Sequence, residues 1–264
     1  MAETASPPAR SGQRPRSPTR LVAVKRVERV TPRLTRITFS GDALAGFGPP
    51  RPGAHMKLLF APEGSGWTPE NEDAPRPPRR TYTPRRFDPQ GMTLEVEFVH
   101  HGDGLAAGWA QNAQPGAPMY ITGPGGGYDL PQGAAEIVLV ADDTAMPAAG
   151  TILEALPGGC RATVLCEIPA ASEERALSPQ VDVSPVWLHR EPAGAVPGDL
   201  LEEAVRKLDV PKDACWWIAC EAGAMRRIRD HLLKDRGVAA DRVHTRGYWK
   251  RGETAYPDHD YGKD

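Results

Sequence analysis

The feature that most constrains this chain is a change of hydrophobic period near Leu130. Before it, apolar and polar residues alternate in short runs. Met92–Val99 is the cleanest: Leu94, Val96 and Phe98 face one way, Thr93, Glu95 and Glu97 the other, the period of two of a half-buried strand. Leu21–Val30, Arg36–Phe39, His55–Phe60, Arg80–Thr83 and Pro118–Thr122 read as further strands, and Leu105–Asn112 as a helix. Six short strands and one helix fit a small antiparallel β-barrel. Beyond Leu130 the strands become continuously apolar and alternate with helices. Ile137–Ala141, Ala162–Ile168, Val186–His189, Cys215–Ala219 and Arg242–Thr245 read as strands. Ala145–Leu156, Asp199–Leu208 and Ala222–Arg236 read as helices, with a short helical start at Ser172-Glu173-Glu174. That pattern predicts a parallel sheet covered on both faces, a doubly wound α/β domain.

The expected organisation is a disordered tail over 1–20, a barrel domain over 21–130, an α/β domain over 131–252 and a loose tail over 253–264. The first segment is rich in Pro, Ser and Arg and has no apolar h-region, so it does not read as a secretory signal. No apolar run approaches the roughly 20 residues that span a bilayer. With 32 Lys and Arg against 34 Asp and Glu, the formal charge is −2. That balance excludes a wholesale polyanion binder, so neither nucleic acid nor a membrane is an expected partner. Cys160, Cys166, Cys215 and Cys220 form no Cys-x-x-Cys pair and no metal-ligand spacing. They read as thiols in a reducing cytoplasm, and the chain as a monomer.

The sharpest chemical signal is Arg80-Thr81-Tyr82-Thr83. On a strand Arg80 and Tyr82 share one face, which suits a ligand with a pyrophosphate and a planar ring, although an edge strand with a solvated Arg80 reads equally well. The segment resembles the Arg-x-Tyr-Ser/Thr flavin motif of the ferredoxin-reductase-like superfamily, which places a barrel before a nucleotide domain. In that pattern the Thr83 hydroxyl, the candidate catalytic group, lies near flavin N5.

Val96 to Ala110, running through His100-His101-Gly102-Asp103-Gly104-Leu105-Ala106-Ala107, resembles one branch: the siderophore-interacting proteins, FAD-dependent reductases of ferric siderophores. A Gly-rich turn opening a helix presents N–H groups to a pyrophosphate. This chain departs from the family at Leu105, where Pro is usual, and at Ala107, where a hydroxyl is usual. His100 and His101 divide between a flavin contact, assigned to His101, and plain strand-end solvation.

Further segments resemble the same family: Gly123-Pro124-Gly125-Gly126-Gly127-Tyr128 as an inter-domain link, Ala141-Asp142-Asp143-Thr144-Ala145-Met146-Pro147 at a strand-to-helix switch, and Gly247-Tyr248-Trp249-Lys250-Arg251-Gly252 near the end. No Gly-x-Gly-x-x-Gly occurs. Asp143 or Thr144 is expected to cap the helix and to line the nucleotide site. Tyr248 and Trp249, with no strand expected after Thr245, would stack at a cofactor edge. Trp217 to Gly223 includes Glu221, and Arg226, Arg227 and Arg229 follow; these arginines are either a solvated helix face or a clamp on the 2′-phosphate of NADPH.

The resemblance implies FAD as cofactor, NADPH or NADH as co-substrate and a ferric siderophore as substrate. Hydride would pass to flavin N5 and single electrons onward to Fe(III), with no protein ligand on iron. Lys57, Arg246, Lys250 and Arg251 are candidates to steer an anionic chelate. A general flavin or quinone reductase, or a redox-inactive siderophore binder, remains open on the same residues.

Overall fold

The computed structural model of the chain describes residues 17–62, 64–71, 74–101, 104–178, 183–191, 194–257 and 260–262. The first unit is a seven-stranded antiparallel sheet built from β1 (Arg20–Thr31), β2 (Leu34–Ser40), β3 (Ala54–Leu59), β4 (Arg79–Tyr82), β5 (Arg86–Asp88), β6 (Thr93–Val99) and β7 (Pro118–Gly126). Its order is β4-β3-β7-β1-β2-β6-β5. The alternation read in Met92–Val99 places Leu94, Val96 and Phe98 in the core, each fully buried. Helix α1 (Leu105–Asn112) plugs this core with Trp109, whose ring lies about 6 Å from those of Phe39, Phe60 and Phe98. One strand more than expected is present, because Arg86-Phe87-Asp88 is too short to carry a period; Phe87 anchors it against Phe47. Arg20 belongs to β1 rather than to a tail, and its buried guanidinium bonds the carbonyls of Gly46 and Gly123. Residues 1–16 of the expected tail lie outside the described residues.

The second unit is a five-stranded, all-parallel sheet of β8 (Glu136–Asp142), β9 (Arg161–Ile168), β10 (Val186–His189), β11 (Cys215–Glu221) and β12 (Val243–Trp249), ordered β10-β9-β8-β11-β12. Helices α2 (Met146–Glu154), α3 (Asp199–Lys207) and α4 (Ala222–Asp230) cover it. Both faces of β8 are sealed: Ile137, Leu139 and Ala141 pack into one core, Val138 and Val140 into another. Each large side chain so enclosed contributes about 1.5–3 kcal/mol. The helix expected to reach Arg236 gives way at His231 to a π-helical turn.

The two units lock together through charged contacts. Glu173, from a short 3₁₀ turn after β9, accepts hydrogen bonds from the Thr31 hydroxyl and the Arg33 N–H. Arg85, its side chain 7% exposed, donates to both oxygens of Glu154 at 2.9 and 3.3 Å and to the Leu177 carbonyl at 2.7 Å. Gly150 permits this crossing, since a Cβ there would lie 2.5 Å from the Leu177 oxygen.

Candidate active site

The order of the second sheet reverses between β8 and β11, and open α/β sheets bind ligands beyond the carboxyl ends of the strands at such a reversal. The strands end there on Asp142, Glu221 and Trp249. Asp142 is 1% exposed. Its Oδ1 accepts from the Thr144 N–H (3.0 Å) and hydroxyl (2.6 Å), and its Oδ2 from Trp249 Nε1 (2.7 Å). Burial, reinforced by the charge of Asp143, pushes this carboxyl up to about 7 against the pull of those bonds.

Sequence reading singled out Asp143 and Thr144 and missed Asp142 as a site residue. Its signal was an acid closing a fully apolar run. Neither Asp143 nor Thr144 caps α2, which starts one residue beyond Ala145 with no side-chain cap. Thr144 is held by Asp142, and Asp143 accepts from Arg190 at 3.1 Å. Glu221 is the N-cap of α4: Oε2 accepts from the Ala224 N–H at 2.9 Å and Oε1 from the Arg251 N–H at 3.3 Å.

The barrel delivers its flavin-like motif to the same crevice. Tyr248, on β12, hydrogen-bonds the Thr83 hydroxyl just beyond β4, and burial pushes its phenol up to about 12. Tyr248 and Trp249 therefore lie within the last strand of the sheet, not after it as expected. The strand outruns Thr245 because a register shift between Cys220 and Glu221 lets Trp249 pair with Glu221.

Along β4, Arg80 and Tyr82 are half-buried while Arg79 and Thr81 are exposed. Tyr82 stacks 4.6 Å from Phe98, and burial raises its phenol above the ordinary range. The Arg80 guanidinium donates to the Arg79 carbonyl at 2.9 Å. Lys57 sits on the other face of this strand pair, in register with Thr81 and 3.2 Å from its hydroxyl.

Helix α1 opens at Gly104 with no side-chain cap, so its first N–H groups carry no side-chain acceptor among the described residues. Ala106 and Ala107 turn their methyls into buried positions. His101 is exposed beside Gly104, its Cε1 3.5 Å from where a Cβ on that glycine would stand. His100 is taken by the Thr35 hydroxyl (2.7 Å) and Gln111 (3.3 Å), and burial lowers its imidazole pKa. Gly102 lies outside the described residues. A half-buried guanidinium, an aromatic strand and an uncapped helix start form a donor set that fits a pyrophosphate joined to a planar ring system, as in FAD.

The expected link at 123–128 is mostly strand, because β7 runs to Gly126. Gly126 has φ +65°, and a Cβ on it would fall 2.8 Å from the His55 ring and 3.8 Å from Arg246 Nη1. Only glycine permits that approach of barrel and β12.

Most of the basic candidates are engaged locally. Arg226 bonds Asp260 at 3.0 Å and Tyr256 at 3.5 Å. Arg246 lies 5.3 Å over the Tyr261 ring, and Lys250 pairs with Glu253 at 2.5 Å. Arg227 reaches Glu202 and Asp199. Arg229 packs half-buried beside Gly262, and Arg251 is exposed. The described part of the expected loose tail is thus docked. Asp260 bridges Gly247, and the Tyr261 carbonyl accepts from Thr245 at 2.6 Å.

An antiparallel flavin-type barrel followed by a nucleotide sheet of this order defines the ferredoxin-reductase-like class, and a ferredoxin NADP⁺ reductase from Neisseria gonorrhoeae shares the fold at a TM-score of 0.62, 16% identity, over 88% of this chain and 99% of that one. Within the class, residues 23–128 match the siderophore-interacting FAD-binding domain and residues 134–252 the siderophore-interacting protein domain. The chain belongs to the siderophore-interacting protein family. It is 32% identical over 256 residues to the ferric vibriobactin reductase of Vibrio cholerae, covering 90% of this chain and 92% of that one. It is 36% identical over 145 residues to the NADPH-dependent ferric-chelate reductase of Escherichia coli, covering 52% and 57%. Among solved structures, a siderophore utilization protein from T. fusca superposes with a TM-score of 0.81 at 36% identity, covering 92% and 97%.

Proposed function

We infer that the protein is an FAD-containing, NAD(P)H-dependent reductase of ferric siderophores. One observation carries this reading beyond the family match: Thr83, just beyond the flavin-type strand, meets Tyr248 on the edge strand β12, whose neighbour Trp249 reaches Asp142 at the switch point of the nucleotide sheet. The two halves of a hydride-transfer site converge there.

Arg80 and the first N–H groups of α1 would hold the FAD pyrophosphate, and Tyr82 and His101 would contact the cofactor. FAD, when bound, supplies a carrier that takes two electrons as hydride and returns them singly. Thr83 and Tyr248 orient the reacting edge, and Tyr248 stays protonated at neutral pH, so its hydroxyl remains a donor. Asp142 fixes Trp249 and the Thr144 turn, which walls the crevice against water. Arg226 and Arg229 receive the nicotinamide nucleotide's phosphate, with Asp260 leaving Arg226 as it binds. Arg246 and Arg251 give the approach to the crevice a positive field that draws an anionic ferric chelate in; Lys250 is paired with Glu253 and Lys57 lies on the other face of its strand pair, so these two drop out of the steering role expected of them. Ferric iron arrives and leaves as substrate: hard oxygen donors hold Fe(II) far more weakly than Fe(III).

We further place the protein in the cytoplasm as a monomer. Cys166, Cys215 and Cys220 are buried free thiols, and no helix among the described residues is long and apolar enough to cross a membrane. The barrel's edge strands β4 and β5 are short and arginine-bearing, as unpaired edges are.

The test is stopped-flow absorbance on the FAD-reconstituted protein. NADPH should bleach the flavin, and a ferric siderophore should restore it at a rate that exceeds that of free flavin or a quinone. Faster reoxidation by the quinone would assign the protein to general flavin or quinone reduction. Absence of bleaching would leave a binder.

A further inference from the structure

The junction of the two units contains a second cluster of charge, lined also by Met146 at the start of α2, that the reduction chemistry does not use. Arg36 on β2 donates to Glu97 on β6 through Nε and Nη2, at 3.1 and 2.7 Å. Arg175, from the segment after β9, approaches the other oxygen of Glu97 only to 3.7 Å. Arg85 is spent on Glu154 and Leu177. Together with Arg86 and Glu95 these side chains line a cavity of about 330 Å³, within the size range of small-molecule sites.

Its polar groups are not balanced. The Arg175 side chain is 10% exposed, and its Nη2 is buried with no hydrogen-bond partner among the described residues. Glu97 serves two guanidiniums; Glu95, the register partner of Arg86, lies 3.8 Å from Arg26 instead; and Arg86 has no ion pair among the described residues, so Arg36, Arg86 and Arg175 face two carboxylates. A buried guanidinium N–H without an acceptor is costly, so the native state favours an acceptor in the cavity.

We propose that this cavity is an oxyanion site of the phosphate class, taking free phosphate or a small phosphomonoester. Three guanidiniums converge from β2, β5 and the segment after β9. A tetrahedral anion offers oxygens in three directions, whereas a planar carboxylate satisfies one fork. The volume leaves room for a short organic group beyond the phosphate. None of these arginines is among those assigned above to FAD, nucleotide or chelate. Occupancy would bridge the barrel, through Arg36 and Arg86, to the nucleotide unit, through Arg175, and so stiffen the junction that holds the crevice.

The test is calorimetric titration of the FAD-reconstituted protein with inorganic phosphate and, separately, glycerol 3-phosphate, in chloride buffer of constant ionic strength. A saturable single site is expected, weakened about tenfold or more in Arg175→Gln, the worth of a charge-assisted bond. FAD content and bleaching by NADPH should be unchanged. If Arg175→Gln fails to fold, Arg86→Gln on the exposed edge strand carries the same expectation. Tighter binding of the ester identifies a phosphorylated metabolite, and tighter binding of phosphate the free ion; both support the site. No saturable heat above chloride would mean a cavity filled by water alone. Binding that survives the substitution and is displaced by NADPH would place the phosphate in the nucleotide crevice. Either result overturns the proposal.

Discussion

Replacing Arg80 by alanine tests the flavin assignment most directly, because the structure makes the magnitude readable. The Arg80 guanidinium is half-buried and donates to the neighbouring Arg79 carbonyl, so among the described residues the substitution breaks no ion pair to an acid. The loss on binding is then the charge-assisted bond to the pyrophosphate alone, about 1.5–3 kcal/mol. That corresponds to a dissociation constant for FAD raised roughly 10- to 150-fold. The apoprotein should be titrated with FAD and the quenching of flavin fluorescence followed. Arg79→Ala, on the exposed alternate position of β4, and Lys57→Ala, on the other face of the strand pair, serve as charge-matched controls. A threefold or smaller change in Arg80→Ala, or an equal loss in either control, would show that proximity of positive charge matters and the directed bond does not.

Asp142 binds a proton in the folded state up to about pH 7, while an unfolded aspartate releases it near 4. The folded chain holds more protons between those values, so stability falls as pH rises from about 4 to 7, and Asp142→Asn should flatten that segment of a melting-temperature profile; parallel profiles would refute the assignment. Glu154→Gln leaves the buried Arg85 guanidinium without its carboxylate and should cost about 1.5–3 kcal/mol in urea unfolding; under 1 kcal/mol would mean solvent replaces the carboxylate. Asp260→Asn should lower the KM for NADPH and leave that for NADH unchanged, since Asp260 occupies the Arg226 guanidinium that the 2′-phosphate needs. Equal effects on both nucleotides would remove Arg226 from phosphate binding.

The change of period near Leu130 carried the architecture, because a half-buried antiparallel strand and a doubly covered parallel strand leave different patterns in one dimension. Val186–His189 and Leu105–Asn112 have the same bounds in the sequence reading and in the structure. What escaped is tertiary in origin. The three residues of β5 hold their place by pairing with β6, which no local pattern encodes. β12 outlasts its apolar segment because β11 continues beside it through a bulge. At the site, the motif residues were legible as types, but their partners were not. Thr83 and Tyr248 are far apart in the sequence, and Asp142 declares itself only when Trp249 arrives. The basic residues show the opposite failure: charge was visible, and its neutralisation by Asp260 and Glu253 was not.

The indole bond from Trp249 to Asp142 spans 107 residues of chain. Synthesis runs from the amino end, so β8 emerges long before the strand whose indole must reach its carboxylate. Through that interval the Asp142 carboxyl lacks one of its donors, and Thr83 lacks Tyr248. A ribosome-bound chain stalled short of β12 would therefore carry a barrel whose Thr83 has yet to meet Tyr248. Maturation of activity would then wait on the docking of that single strand.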